Sequence, residues 1–291
     1  VLGVETGPTI APTLITRHTL AEQRARPRIL VAEDNVVNQK LAVRMLERLG
    51  YQPDIVSNGQ EAVAAFERGL YAAIVMDCQM PTMDGYEATR RIREQEQQPD
   101  ASDTRAHIPI IALTANAMPG DRERCKAVGM DDYLSKPVKT DDLGRLLQRW
   151  APLATPDHAP APTPPREMTK TDARVFDAST MLVNIGGDVD LFDQLIRLFL
   201  ERHRIMVQEI EAAIKQADGV ALERAAHSLK GTAGNLCAPE VVLLASQLEA
   251  NGRLGTLAEA PALFAQLEHT VQQLIVVLER QITPADPAQS R

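Results

Sequence analysis

The sequence predicts two folded units of different class: a doubly wound α/β unit on a five-stranded parallel sheet over residues 28–150, and an all-α helical bundle over residues 171–283. Three observations carry this. The chain has 291 residues, and at about 150 residues per domain that length predicts about two domains. Residues 28–150 alternate short apolar runs with amphipathic stretches five times over, the pattern of strands and crossover helices. Beyond residue 171 apolar residues recur at helical spacing, with no β signal of any length.

Taken in order, residues 1–27 read as linker, because Gly3, Gly7, Pro8, Pro12 and Pro27 break any periodic pattern. The strand-like runs are Ile29–Ala32, Tyr51–Val56, Ala72–Met76, Ile108–Leu113 and Met130–Leu134; helix-like segments lie near 36–49, 59–68, 85–96, 120–128 and 140–149. Short runs that are apolar on both faces suit a parallel sheet covered by helices on each side. In such sheets the chemistry gathers beyond the carboxyl ends of the strands. Residues 151–170 hold six of the 19 prolines. Proline fixes its own φ and lacks a donor, so this stretch reads as a semi-stiff tether. In the second unit, Leu191, Leu195, Ile196, Leu198 and Phe199, then Ile205, Ile210 and Ile214, fall at helical spacing. Further periodic stretches cover 220–236, 240–250 and 257–282, with Gly219, Gly252 and Gly255 at the breaks, so four or more helices are expected. Residues 284–291 read as a tail.

Composition narrows the function classes. With 44% hydrophobic and 24% charged residues the chain is globular, which excludes wholesale disorder. The net charge is −8, and both halves share the sign: 16 basic against 19 acidic residues over 28–150, and 9 against 15 over 171–283. Neither offers a basic groove, so direct nucleic-acid binding is not expected. Three widely spaced cysteines (Cys78, Cys125, Cys237) with no CxxC pair point to a reducing compartment. No apolar run approaches the roughly 20 residues that span a bilayer, so this segment is expected not to insert. The opening from Val1 has no secretory pattern and reads as a piece of something longer.

A parallel sheet makes the strand ends informative. The first ends in Glu33, Asp34 and Asn35, the third in Asp77, the fourth in Thr114 and the fifth in Ser135, Lys136 and Pro137. All converge on one rim, where three carboxylates crowd together and raise one another's pKa unless a cation is present. A hard divalent ion such as Mg2+ resolves this crowding. With Lys136 as a further cation and the Thr114 hydroxyl, the set suits a phosphoryl group arriving on the central Asp77. Any one of these residues alone reads as a solvated loop group; five at successive strand ends read as a site.

These residues sit in ILVAEDN (29–35), IVMDCQMPTMDGYEATRRIR (74–93), PIIALTANAM (109–118) and GMDDYLSKP (129–137), which resemble a response-regulator receiver domain, a flavodoxin-like fold. The resemblance implies Asp77 as phosphoacceptor, Mg2+ held by Glu33, Asp34, Asp77 and the backbone carbonyl of Gln79, and Thr114 and Lys136 on the phosphoryl oxygens. It also implies a rotating aromatic at Tyr133 and a cis Lys136–Pro137 bond. An aspartyl-phosphate hydrolase is disfavoured, because Gln79 stands where such enzymes keep a second acid.

Among the six histidines, His227 has distinctive company. At roughly 100° per residue, Leu222, Ala226, Leu229, Ala233 and Leu236 form a buried stripe, and His227 points away from it. Gly231 and Gly234 share its face. Glycine inside a helix costs roughly 1 kcal/mol relative to alanine, and the missing side chains would let another surface approach the ring. Lys230 adds a positive charge suited to a phosphoryl group. A metal role with Glu223 lacks further ligands at usable spacing. The segment HSLKGTAGN (227–235) resembles the signature of histidine phosphotransfer domains, implying that His227 carries phosphate. Where that family commonly has a glycine, ten positions after the histidine, this chain has Cys237.

The order receiver, tether, histidine phosphotransfer domain resembles the carboxyl-terminal part of a hybrid sensor histidine kinase of a bacterial phosphorelay. Residues 12–22 (PTLITRHTLAE) resemble the connector behind its ATP-binding domain, and no ATP-binding glycine box occurs in the chain. The resemblance implies that Asp77 accepts phosphate from the upstream kinase core of the same full-length protein. His227 takes it and a downstream response regulator receives it, in the cytoplasmic part of an inner-membrane sensor. Flow in reverse from His227 to Asp77, or a docking switch with the bundle as scaffold, are the alternatives.

Overall fold

In the computed structural model, the structure describes residues 26–97, 107–114, 119–153 and 174–282. The expected linker 1–27, the core of the tether and the tail lie outside these, apart from their edge residues. Five strands, β1 (Arg28–Ala32), β2 (Gln52–Val56), β3 (Ala73–Asp77), β4 (Ile110–Thr114) and β5 (Asp132–Ser135), form one parallel sheet in the order β2-β1-β3-β4-β5. Helices α1 (Val36–Arg48), α2 (Gly59–Arg68), α3 (Gly85–Glu96), α4 (Pro119–Ala127) and α5 (Thr140–Trp150) follow the strands in turn.

The central strands β3 and β4 are buried at every residue, and β1 at all but its first, whereas edge strand β2 is at most half-buried. Alternate strand residues feed opposite layers. Leu30, Ala32, Ile74, Met76, Ile110 and Ala112 pack with Ala62, Phe66, Ala88 and Ile92 of α2 and α3. Ile29, Val31, Val75, Ile111 and Leu113 pack with Leu41, Met45 and Leu46 of α1 and Leu143 and Leu147 of α5. At the turn after β3, a Cβ on Gly85 would lie 2.1 Å from the carbonyl oxygen of Asp77, so only glycine lets α3 start against the end of that strand.

The bundle comprises α6 (Ala178–Asn184), α7 (Val189–Lys215), α8 (Gly219–Asn235), α9 (Pro239–Leu254) and α10 (Ala260–Glu279). The 27 residues of α7 span about 40 Å at about 1.5 Å per residue. Aspartates at 177, 188 and 218 cap α6, α7 and α8 through their side chains. Leu191, Leu195, Phe199, Ile210, Leu222, Leu229, Leu236, Leu248, Leu267 and Leu274 fill its interior, and this core is continuous with the α1 and α5 layer of the sheet. The bundle therefore docks on one face of the α/β unit. Among the described residues, no helix is long and apolar enough to cross a membrane.

Candidate functional site

The strand order places a switch point between β1 and β3, whose outward connections run to opposite sides, so a crevice opens beyond their carboxyl ends. β1 leads into Glu33, Asp34 and Asn35, and β3 ends on Asp77. One oxygen from each of Glu33, Asp34 and Asp77 lies within 4.8 Å of the other two. Glu33 and Asp77 are buried, at 1% and 2% exposure. Lys136 reaches over from the end of β5: its Nζ donates to Asp77 Oδ2 at 2.6 Å and Glu33 Oε2 at 2.8 Å. Asn38 Nδ2 donates to Glu33 Oε1 at 2.9 Å. Gln79 N–H donates to Asp77 Oδ1 at 3.2 Å. Thr114, the buried last residue of β4, accepts the Lys136 N–H on its carbonyl at 2.7 Å. The Lys136–Pro137 bond is cis.

Burial pushes the Asp77 carboxyl up to about 6, with Glu33 adding to the rise and Lys136 and His227 opposing it. Burial, then Glu33, likewise pushes Asp34 to about 6 against Lys136 and Arg224. For Lys136, burial works against the charge, but Asp77 and Glu33 outweigh it and raise its pKa. The rim thus holds three carboxylates and a single lysine in contact, two of the carboxyls reluctant to ionise. This oxygen-only donor set fits a hard divalent cation.

His227 stands on α8, facing that rim. Its Nδ1 pairs with Glu249 Oε1 at 2.8 Å, and Lys230 Nζ donates to the other oxygen, Oε2, of the same carboxylate. A carboxylate only accepts, so Nδ1 carries a proton, and Nε2 is the ring nitrogen left to hold the lone pair when the ring is in its neutral form. That Nε2 is buried and has no hydrogen-bond partner. A cavity of about 120 Å³ lies beside it, lined by Lys136 and Pro137 of the rim and by His227, Lys230, Gly231 and Gly234 of α8. The imidazole does point away from the bundle core, yet His227 is only 8% exposed, because the α/β unit covers that face. Asn35 caps α1 with Oδ1 and with Nδ2 donates to Ser228 Oγ at 3.0 Å and Thr232 Oγ1 at 2.8 Å. Asn235 Nδ2 donates to Asn38 Oδ1 at 2.7 Å. A Cβ on Gly231 would lie 3.4 Å from Asn38 Nδ2, so the surface that the missing side chain admits is the chain's own.

A model of the response regulator receiver domain matches residues 29–148, and a model of the Hpt domain matches residues 194–276. The chain carries a receiver domain and an Hpt domain. The Virulence sensor protein BvgS of Bordetella pertussis is 30% identical over 261 residues, covering 88% of this chain and 21% of the relative. Sensor histidine kinase GacS of Pseudomonas protegens is 30% identical over 248 residues, covering 85% and 26%. The chain thus spans about a quarter or less of the length of these curated relatives. A solved receiver domain of sensor histidine kinase PA1611 from Pseudomonas aeruginosa, with a magnesium ion in its active-site cleft, is 51% identical, covers 43% of this chain and 98% of its own, and has a TM-score of 0.38.

The receiver rim gathers Glu33, Asp34, Asp77, Thr114 and Lys136, with Gln79 two residues past Asp77. Tyr133 lies on β5 beneath the Arg122 guanidinium, 5.3 Å from its ring centroid. The Hpt domain contributes His227 and Lys230. Sequence reasoning missed Glu249, which lies 22 residues from His227 on the next helix. It also missed the partners Asn35 and Asn38.

Cys237 has a backbone explanation. It follows the α8 cap residue Leu236 with φ 54°, in the left-handed region. Glycine is the usual residue there because it lacks the Cβ clash. Replacing Cys237 with Gly is expected to raise stability by about 0.5–1 kcal/mol, read as a rise in thermal midpoint with unchanged phosphotransfer.

Proposed function

We propose that this chain is the relay portion of a hybrid sensor histidine kinase, with the receiver over 28–150 and the Hpt domain over 171–283. In this reading Asp77 accepts a phosphoryl group from a phosphohistidine of the kinase core in the same full-length protein. His227 takes it, and a separate response regulator receives it. The observation that carries this is the buried, unpartnered Nε2 of His227 set against the rim that holds Asp77 and Lys136.

Transfer moves one phosphoryl group between two named atoms. The P–O bond to an Asp77 carboxylate oxygen breaks, a P–N bond to His227 Nε2 forms, and the ring's lone pair supplies the electrons. Phosphoryl transfer asks for alignment and charge neutralisation more than for covalent chemistry. In this reading Lys136 neutralises charge on the Asp77 side, where it already donates to the carboxylate, and the Thr114 hydroxyl would donate to a phosphoryl oxygen. On the Hpt side Lys230 adds positive charge, while Glu249 holds Nδ1–H and balances the cationic ring that forms. Glu33, Asp34, Asp77 and the Gln79 carbonyl would hold Mg2+, which when bound supplies charge neutralisation beside the phosphoryl oxygens. The three cysteines, none in a disulfide, support work in the reducing cytoplasm.

The test is location of the phosphoryl group by mass spectrometry after incubation with acetyl phosphate and Mg2+. Label is expected on Asp77 and His227 in the wild type and on neither in Asp77→Asn. Label on His227 in the variant would remove Asp77 from the route.

The raised carboxyls give a pH prediction. Protons and Mg2+ compete for Asp34 and Asp77, so the metal binds less well as pH falls through about 6, roughly tenfold per unit for each proton displaced. A carboxyl pKa raised by folding means that the metal-free fold loses stability as pH rises through that range. Added Mg2+ should therefore raise the thermal midpoint more at about pH 7.5 than at about pH 5.

A further inference from the structure

We propose that Arg48 and Thr140 form a docking anchor, remote from the reacting atoms, that makes this receiver the preferred partner of its own Hpt domain. The inference rests on the relay reading above and identifies what selects the pair.

Arg48 is the last residue of α1, whose first turn adjoins the carboxylate rim. At about 1.5 Å per residue that places it about 18 Å along the helix from the site. Its guanidinium forks onto two consecutive carbonyls of the Hpt domain, Nη1 to Ile185 O at 3.1 Å and Nη2 to Gly186 O at 2.9 Å. Thr140, the first residue of α5, donates Oγ1 to the preceding carbonyl, Asn184 O, at 3.0 Å. Three successive carbonyls at the end of α6 are thus taken up by two receiver side chains.

The chemistry of both partners favours this contact. The last carbonyls of a helix lack intrahelical donors and carry the negative end of its dipole. A guanidinium presents a rigid fork of donors that is always charged. Gly186 and Gly187 follow with φ of 71° and 78°, which turns the chain back after α6. A Cβ on Gly186 would lie 2.9 Å from Arg48 Nη2, so the glycine leaves the guanidinium its place.

The consequence is a preference. With this receiver docked, His227 is 8% exposed, and a downstream receiver can reach it only when the docked pair opens. A receiver without a fork at the end of α1 and a hydroxyl at the start of α5 engages the α8 face alone. The anchor therefore sets how often the shared face is released.

The test uses the full chain and peptide-resolved carbethoxylation by diethylpyrocarbonate. In the wild type His227 should react far more slowly than exposed His269. Arg48→Ala should speed modification of His227 about tenfold, the scale of a lost charge-assisted pair, and leave His269 unchanged. Thr140→Val should give about threefold, the scale of one neutral bond. Arg48→Lys, which keeps the charge but not the fork, should fall between wild type and Arg48→Ala and guards against a folding defect, checked by circular dichroism. Unchanged His227 protection in both Arg48 variants overturns the anchor, while phosphohistidine formed from Asp77 in untreated aliquots of the same proteins keeps the relay reading intact. Wild type that forms phosphoaspartate but never phosphohistidine overturns the relay reading and the preference with it.

Discussion

In a chain carrying His227→Gln, phosphoryl label enters at Asp77 and stops there. The receiver rim is untouched by this change, so Glu33, Asp34, Asp77 and Lys136 keep their contacts and acetyl phosphate still labels Asp77 at the wild-type rate. A glutamine amide nitrogen has no available lone pair, and phosphohistidine, recognised by its stability to base and lability to acid, falls to background. Label then leaves Asp77 only by hydrolysis, and none reaches a second receiver added in trans. The effect on folding is small, about 1 kcal/mol for the exchanged hydrogen bond to Glu249. This variant also separates the competing functions. If the bundle is an inert scaffold for a docking switch, transfer to the second receiver is the same with and without His227, and the relay reading is falsified.

How much of this was legible in the sequence depends on the range over which each signal acts. Strands β1, β3 and β4 were readable because they are apolar on both faces, which only a doubly covered sheet requires. The fifth run was expected at Met130–Leu134, but β5 is Asp132–Ser135. Met130 is buried ahead of the strand, and Asp131 spends its side chain on Arg93 and the Ile110 N–H, so the strand starts two residues later than the apolar run suggests. Helix α6 did not announce itself, since seven residues with few apolar positions give too short a periodic signal. The carboxylate rim was legible because parallel strands put all their carboxyl ends on one side, whatever the loops do. His227 was placed correctly relative to its own bundle. Its burial was not foreseen, because a helical wheel knows nothing of a second unit covering the face. Asn35 shows the same limit: the sequence placed it only at the end of the first strand, whereas its amide donates to Ser228 and Thr232, nearly 200 positions on.

Glu249 was illegible for the same reason, and it carries the second large prediction. It sits on α9, 6% exposed, and its two oxygens hold His227 Nδ1 and Lys230 Nζ. Burial works against its charge, but the hydrogen bonds from His227 and Lys230 outweigh that and keep the carboxyl below its usual range. Glu249→Ala leaves Lys230, itself 8% exposed, without its counter-charge, and removing one member of a buried pair costs about 3–5 kcal/mol. Glu249→Gln is gentler, since its amide oxygen can still accept from Nδ1–H. It no longer balances the cationic ring that forms as Nε2 takes the phosphoryl group, so transfer from Asp77 to His227 is expected to slow about 10- to 100-fold. Labelling of Asp77 should be unaffected. A purely structural role would instead shift the thermal midpoint and leave the transfer rate constant alone once the folded fraction is corrected for. The pH dependence gives an independent check. A carboxyl whose pKa is lowered by folding contributes stability above its unfolded value, near 4.5, and loses it as pH falls through the folded value. Wild-type stability should therefore drop more steeply below about pH 4.5 than that of Glu249→Gln. Parallel acid profiles together with equal transfer rates would leave Glu249 no part in orienting the histidine.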